Sequence, residues 1–180
     1  MSFISQTITI FYDAHQDRLN LLFIDKNKQE LLGAMTRRFL KGLLAILPEW
    51  IDKNIEQIQN RLNQNKQQQR DINQFHHQAA QQNIQANYDS VKIDKTMMPF
   101  MIETINIAKQ HVANEEGDIV DQIRLTFVDD AKKYNIILAM TLAQLHKLIG
   151  EILTKVEEWD LLNPWEGNSR FLGDNRSVMH

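Results

Sequence analysis

Leu19-Asn20-Leu21-Leu22-Phe23-Ile24-Asp25 and Ile123-Arg124-Leu125-Thr126-Phe127-Val128-Asp129 stand far apart in the chain and read alike. Each alternates apolar and polar residues and then turns apolar, the pattern of a strand buried mostly on one face. A polar connection of hairpin length follows both, Lys26 to Gln29 and Asp130 to Lys133. Then comes a second strand, Glu30-Leu31-Leu32-Gly33-Ala34-Met35-Thr36 in one case and Tyr134-Asn135-Ile136-Ile137-Leu138-Ala139-Met140-Thr141 in the other. Both close on Ala-Met-Thr.

A threonine hydroxyl can accept the backbone N–H groups left unpaired in a first helical turn, so Thr36 and Thr141 are read as helix N-caps. Past the caps, Phe39, Leu40, Leu43, Leu44 and Leu47 match Leu142, Leu145, Leu148, Ile149 and Ile152, an apolar stripe at helical spacing. Upstream, Ile8 to Tyr12 and Ile102 to Ile107 offer a first strand to each unit. The expected fold is therefore α+β, an internal duplication of a β-β-β-α unit: two antiparallel meanders each followed by a helix, joined by a long Gln/Asn-rich helical segment. The expected organisation is one domain over 1–162, with a first unit over 1–50, a connector over 51–90, a second unit over 91–162, and an irregular tail over 163–180. A three-stranded sheet with one helix leaves a face open, so the halves should pack together or share one sheet.

In outline these units resemble the strand-meander-plus-helix repeats of Pur-type and Whirly-type single-stranded nucleic-acid-binding proteins, which implies binding across a sheet face. The units have three strands where those repeats have four. Such binding also calls for exposed aromatics flanked by Lys or Arg, and these strands offer few.

The connector, dominated by Gln and Asn, contains no Pro or Gly between Ile51 and Ser90. Ile51, Ile55, Ile58 and Leu62 follow coiled-coil spacing, continued by Asn65, Gln69, Ile72, His76 and Ala79. A long polar helix is expected, with Pro48 ending one helix and starting the next. Its candidate interaction residues are Ile51, Ile55, Ile58, Leu62, Ile72, Phe75 and His76, and homo-oligomerisation through this helix is the natural consequence. In the tail, Trp165 and Phe171 can pin an otherwise irregular segment to the body.

Composition narrows the chemistry. The 180 residues carry 43% hydrophobic side chains, enough for a core, and a formal charge of -3, which creates no field for polyanions or anionic lipid. The absence of cysteine excludes disulfides, thiol nucleophiles and Cys-ligated metals. No window approaches the apolar length that spans a bilayer, and the N-terminus lacks the pattern of a secretory signal, so a cytoplasmic protein without membrane contact is expected.

The six glycines form no phosphate-binding loop, and the six histidines, at positions 15, 76, 77, 111, 146 and 180, provide no i, i+4 pair. His76 and His77 are read as one helix-seam residue and one solvated residue. Asp13, His15 and Asp17 are read as a polar hairpin tip, with cation ligation the alternative if the loop folds suitably. The expectation is a non-enzymatic protein with no catalytic residues, no cofactor and no metal. One feature departs from the structural pattern. Arg37 and Arg38 follow the Thr36 cap and oppose the helix dipole, whereas the second unit has Leu142 and Ala143 there. Thr36, Arg37 and Arg38 are thus a candidate anion site built from a helix N-terminus and two guanidinium forks, unless the arginines pair with Asp25, Glu30 or another surface acid. The functional expectation is a protein-interaction or assembly module working by self-association or with a protein partner. Single-stranded DNA or RNA binding, using this pair with Arg18, Lys26, Lys28 and Lys41, is the alternative.

Overall fold

The structure, a computed structural model, describes residues 2–54, 66–85, 96–113 and 117–165. Strands β1 (Ser2–Asp13), β2 (Arg18–Asp25) and β3 (Glu30–Thr36) form an antiparallel meander that runs into helix α1 (Arg37–Asn54). Helix α2 (Lys66–Asn83) follows, then the short β4 (Phe100–Met101). A second antiparallel meander, β5 (Thr104–Ala113), β6 (Ile119–Val128) and β7 (Asn135–Met140), leads into helix α3 (Leu142–Lys155). A 3-10 turn, Glu157–Trp159, follows α3.

All seven strands belong to one curled sheet of order β4-β3-β2-β1-β7-β6-β5. Two parallel joints hold the meanders together. The first third of β1 pairs with β7, from Ser2 opposite Asn135 to Ser5 opposite Leu138. Past an irregularity between Ser5 and Thr7, the rest of β1 pairs with β2 alone. At the other joint β4 pairs with β3, Gly33 opposite Phe100 and Ala34 opposite Met101. The run then transfers, with Ile102 N–H donating to the Ala34 carbonyl at 2.9 Å and Glu103 N–H to the Val128 carbonyl at 3.0 Å. The two ends of the sheet therefore meet in one stretch of chain, Phe100 to Ala113. Gly33 sits where this happens because a Cβ there would come within 2.9 Å of the Ile102 side chain and 3.0 Å of the Phe100 ring.

The sheet and two helices share one apolar core. Leu19, Leu21, Phe23 and Met35 from the first meander and Ile123, Leu125, Phe127, Ile136 and Leu138 from the second are buried with Leu40, Leu44, Leu47 and Ile51 of α1 and Leu145, Ile149 and Ile152 of α3. Phe23 and Phe127 meet across the halves with centroids 4.9 Å apart. Burying a side chain of this size is worth about 1.5–3 kcal/mol, so this core supplies the main stabilisation. Thr36 and Thr141 cap their helices as the sequence predicts. Thr36 Oγ1 accepts the Phe39 N–H at 3.2 Å, and Thr141 forms a reciprocal capping box with Gln144.

Three boundaries differ from the sequence reading. The first strands are longer than Ile8–Tyr12 and Ile102–Ile107. Ser2–Ser5 is held by a neighbour far away in sequence, and the outer half of β5 carries Lys109, paired with Asp121 at 2.7 Å, and His111, whose Nδ1 lies 2.6 Å from the same carboxylate, contacts that suit a polar strand face. Helix α1 also passes through Pro48 rather than breaking there. A proline inside a helix costs about 3 kcal/mol, and burial of Ile51 one turn beyond, at 0% exposure, offsets it. Ile55, Ile58 and Leu62, with much of the 51–90 connector, lie outside the described residues, as does Phe171. Trp165 is buried against the body at 4% exposure.

Candidate functional site

The transfer of the chain from β3 to β6 opens the sheet. Among the described residues, nothing pairs with β3 past Ala34 on the β4 side, and β5, as the last strand of the sheet, has no neighbour on its outer side. Helix α1 leaves Thr36 across this split. The result is a groove of about 540 Å³ lined by Thr36, Arg38, Phe39, Gly42, Leu43 and Ile46 on one side and Glu103, Thr104 and Ile105 on the other. Its α1 wall is apolar, with Ile46 57% exposed, and Arg38 and Glu103 bring one charge of each sign.

Of the three residues predicted as an anion site, Thr36 and Arg38 line this groove, whereas Arg37 does not. Thr36 Oγ1 is already engaged in capping. Both arginines are exposed, and neither makes an ion pair with Asp25 or Glu30 among the described residues. Asp25 instead accepts the backbone N–H groups of Asn27 and Gln29 in its own hairpin, each at 2.8 Å. The acid influenced by Arg37 is Asp17, which the register brings close because Arg18 lies opposite Thr36.

Asp17 anchors a cluster that sequence reasoning missed. Its Oδ1 accepts the Tyr12 hydroxyl at 2.7 Å and the Trp159 indole N–H at 2.5 Å, and the two rings meet edge to face at 5.6 Å. The Tyr12 hydroxyl, then the Trp159 N–H and the Arg37 charge hold the Asp17 carboxyl below its ordinary range, while the same hydrogen bond to Asp17 raises the Tyr12 hydroxyl. The hairpin tip is otherwise as expected, with Asp13 Oδ1 accepting the N–H groups of His15 and Gln16. Among the described residues no three His, Asp or Glu side chains are gathered as a metal site.

The polar helix uses a different face from the predicted seam. Among the described residues of α2, Asn73, His77 and Ala80 are buried, one position on from Ile72, His76 and Ala79. Asn73 Nδ2 donates to Asp52 Oδ1 at 2.6 Å, Gln81 Nε2 donates to the His146 carbonyl at 2.8 Å, and Lys147 Nζ donates to the Gln81 carbonyl at 3.3 Å. These polar anchors select the face, because on a helix with so few apolar residues hydrogen bonding outweighs a weak apolar stripe. Of the predicted interaction residues, Ile51 belongs to the core, Ile72 is half-buried, and Phe75, at 67% exposure, and His76 face outward. His77, not His76, is the inward histidine.

His77 meets a second buried histidine, His146 of α3, and both pack on Trp165. Nothing in the sequence marked His146, which sits beside the α3 stripe rather than in it. Comparison of the chain with protein-family models, with curated proteins and with solved structures returns no match.

Proposed function

We propose that this protein is a non-enzymatic interaction module that seats an extended segment of a protein partner in the groove between α1 and the β4–β5 run. The observation that carries this reading is the split in the sheet. Among the described residues it leaves β3 past Ala34 and β5 from Thr104 paired on one side only, to β2 and to β6, with their outer sides beside an apolar wall, the arrangement that strand addition uses. Main-chain pairing supplies affinity, the Phe39, Leu43 and Ile46 wall takes apolar side chains, and Arg38 and Glu103 fix direction by charge. Among the described residues no acid, base or nucleophile set is gathered at the groove. In the same reading the two β-β-β-α units are copies of one ancestor, each lending the start of its first strand to the other's last strand, with Arg37 and Arg38 added to one copy.

The test is a displayed library of extended peptides selected against the whole chain. Selected peptides are expected to slow amide exchange at Thr36 and at Thr104–Ile105, and to lose at least tenfold in affinity against Ile46→Glu and against Arg38→Glu. Selection of nothing, or of peptides indifferent to both variants, overturns the reading.

Exposure of both Arg37 and Arg38, without ion pairs to the acids nearest in sequence, favours a second reading: binding of single-stranded nucleic acid at this corner. Retention on single-stranded DNA that weakens steeply with salt, and is lost in the Arg37→Ala, Arg38→Ala double variant, selects that reading. Retention of neither kind removes it.

A further inference from the structure

His146 is fully buried at 0% exposure, yet neither ring nitrogen has a hydrogen-bond partner among the described residues. It is enclosed by rings. The His77 centroid lies 5.6 Å away and that of Trp165 4.4 Å away, and His77 and Trp165 stack on each other at 5.1 Å. Three elements meet there: α3 carries His146, α2 carries His77, and the segment after the 3-10 turn carries Trp165. Asn163, from that last segment, contacts His77 Nε2 at 3.0 Å. Gly150 completes the docking surface, since its missing side chain is the space that the Gln81 amide occupies.

We propose that α2 and the Asn163–Trp165 segment form an acid-released latch on α3, closed while His146 is neutral and opened when it takes up a proton. An imidazolium has two N–H donors that require acceptors, and the closed arrangement buries the ring with no protein acceptor for either among the described residues. The other titratable groups around it make matters worse or are already engaged. From α2, His77 and His76 add positive charge whenever protonated. From α3, Lys147 and Glu151 are paired with each other at 3.0 Å, and Asn163 and Trp165 bring no charge. The indole can attract a cation through its face, but burial dominates and, with His77 and His76, pushes the ring from 6.5 to about 4.

The sign follows from linkage. The ring binds its proton more weakly when latched than when released, so latching is strongest above the ordinary histidine value and weakens as pH falls. An imidazole at 6.5 when released and about 4 when latched raises the opening constant about tenfold per pH unit between those values, about thirtyfold in all from pH 7.5 to 5.0.

The chain has no cysteine, so single thiols report cleanly. Ala80→Cys lies under the latch, at 3% exposure, Gln78→Cys lies on the outer side of the same helix, and Ala34→Cys, at 0%, lies in the sheet. Labelling rates are normalised to a free-thiol peptide at each pH. The Ala80→Cys rate relative to Gln78→Cys is expected to rise about thirtyfold from pH 7.5 to 5.0, with Ala34→Cys unchanged, and the rise is expected to vanish in a His146→Phe background. A flat Ala80→Cys ratio, an equal rise at Ala34→Cys, or a rise that survives His146→Phe overturns the latch. Should His146→Phe not fold, the imidazole titration of the unaltered chain by NMR decides. A midpoint below pH 5, with α2 signals shifting in the same range, supports the latch, and a midpoint near 6.5 overturns it.

Discussion

Asp17 shows how much one side chain can join. It receives hydrogen bonds from the first meander through Tyr12 and from the end of the α3 region through Trp159, and it lies in the field of Arg37. Because its carboxyl titrates lower in the folded chain than in the unfolded one, its contribution is complete above the ordinary carboxylate range and is lost as pH falls through the folded value. Asp17→Asn is therefore expected to lower the melting temperature at neutral pH and to flatten the acid side of the stability profile below about pH 4. Thermal melts followed by Trp fluorescence across pH 2–7 check this. An unchanged acid limb means that the cluster contributes nothing through its charge. The residue types were legible as a polar hairpin tip, but the partner Trp159, 142 residues away, was not. Sequence near Asp17 carries no trace of it.

At the scale of elements, the helices obey local rules until tertiary contacts overrule them. The Thr36 and Thr141 caps and both apolar stripes follow from hydroxyl chemistry and the helical period, and they were legible. Pro48 obeys the local rule less well, since the helix runs through it to bury Ile51. Pro48→Ala restores an N–H for the Leu44 carbonyl and removes a ring clash, so it is expected to stabilise the protein by about 1–3 kcal/mol in urea unfolding. No gain there means that the helix bends at Pro48 in a way the core needs. At Gly150 the balance is reversed. Alanine gains about 1 kcal/mol of helix propensity but evicts the Gln81 amide and its hydrogen bond to His146, a loss of about 0.5–1.5 kcal/mol before steric strain. Gly150→Ala is expected to leave global stability nearly unchanged while amide exchange along α2 quickens, which hydrogen-exchange mass spectrometry resolves. Unchanged α2 exchange means that Gln81 does not hold this helix.

At the scale of the whole molecule, the two meanders join in one sheet where the start of β1 pairs with β7 and β4 pairs with β3. Residues 1–54 alone lack both β4 and β7, leaving the outer edges of β3 and part of β1 unpaired and the Phe23 side of the core without Phe127. The fragment is expected to show no cooperative thermal transition in circular dichroism, whereas the full chain shows one. A cooperative melt of the fragment means that the first unit is stable without its partner.

By itself the sequence determined the strands of each meander and the caps and stripes of α1 and α3. These depend on alternation, helical period and hydroxyl capping, which act over a few residues. Tertiary structure decided that β1 meets β7 and β3 meets β4, that α2 buries Asn73, His77 and Ala80 rather than Ile72 and His76, and that His146 is sealed against Trp165. Those outcomes are set by which unpaired edges and polar anchors come together once the core has formed, and no local pattern encodes a neighbour that distant in the chain.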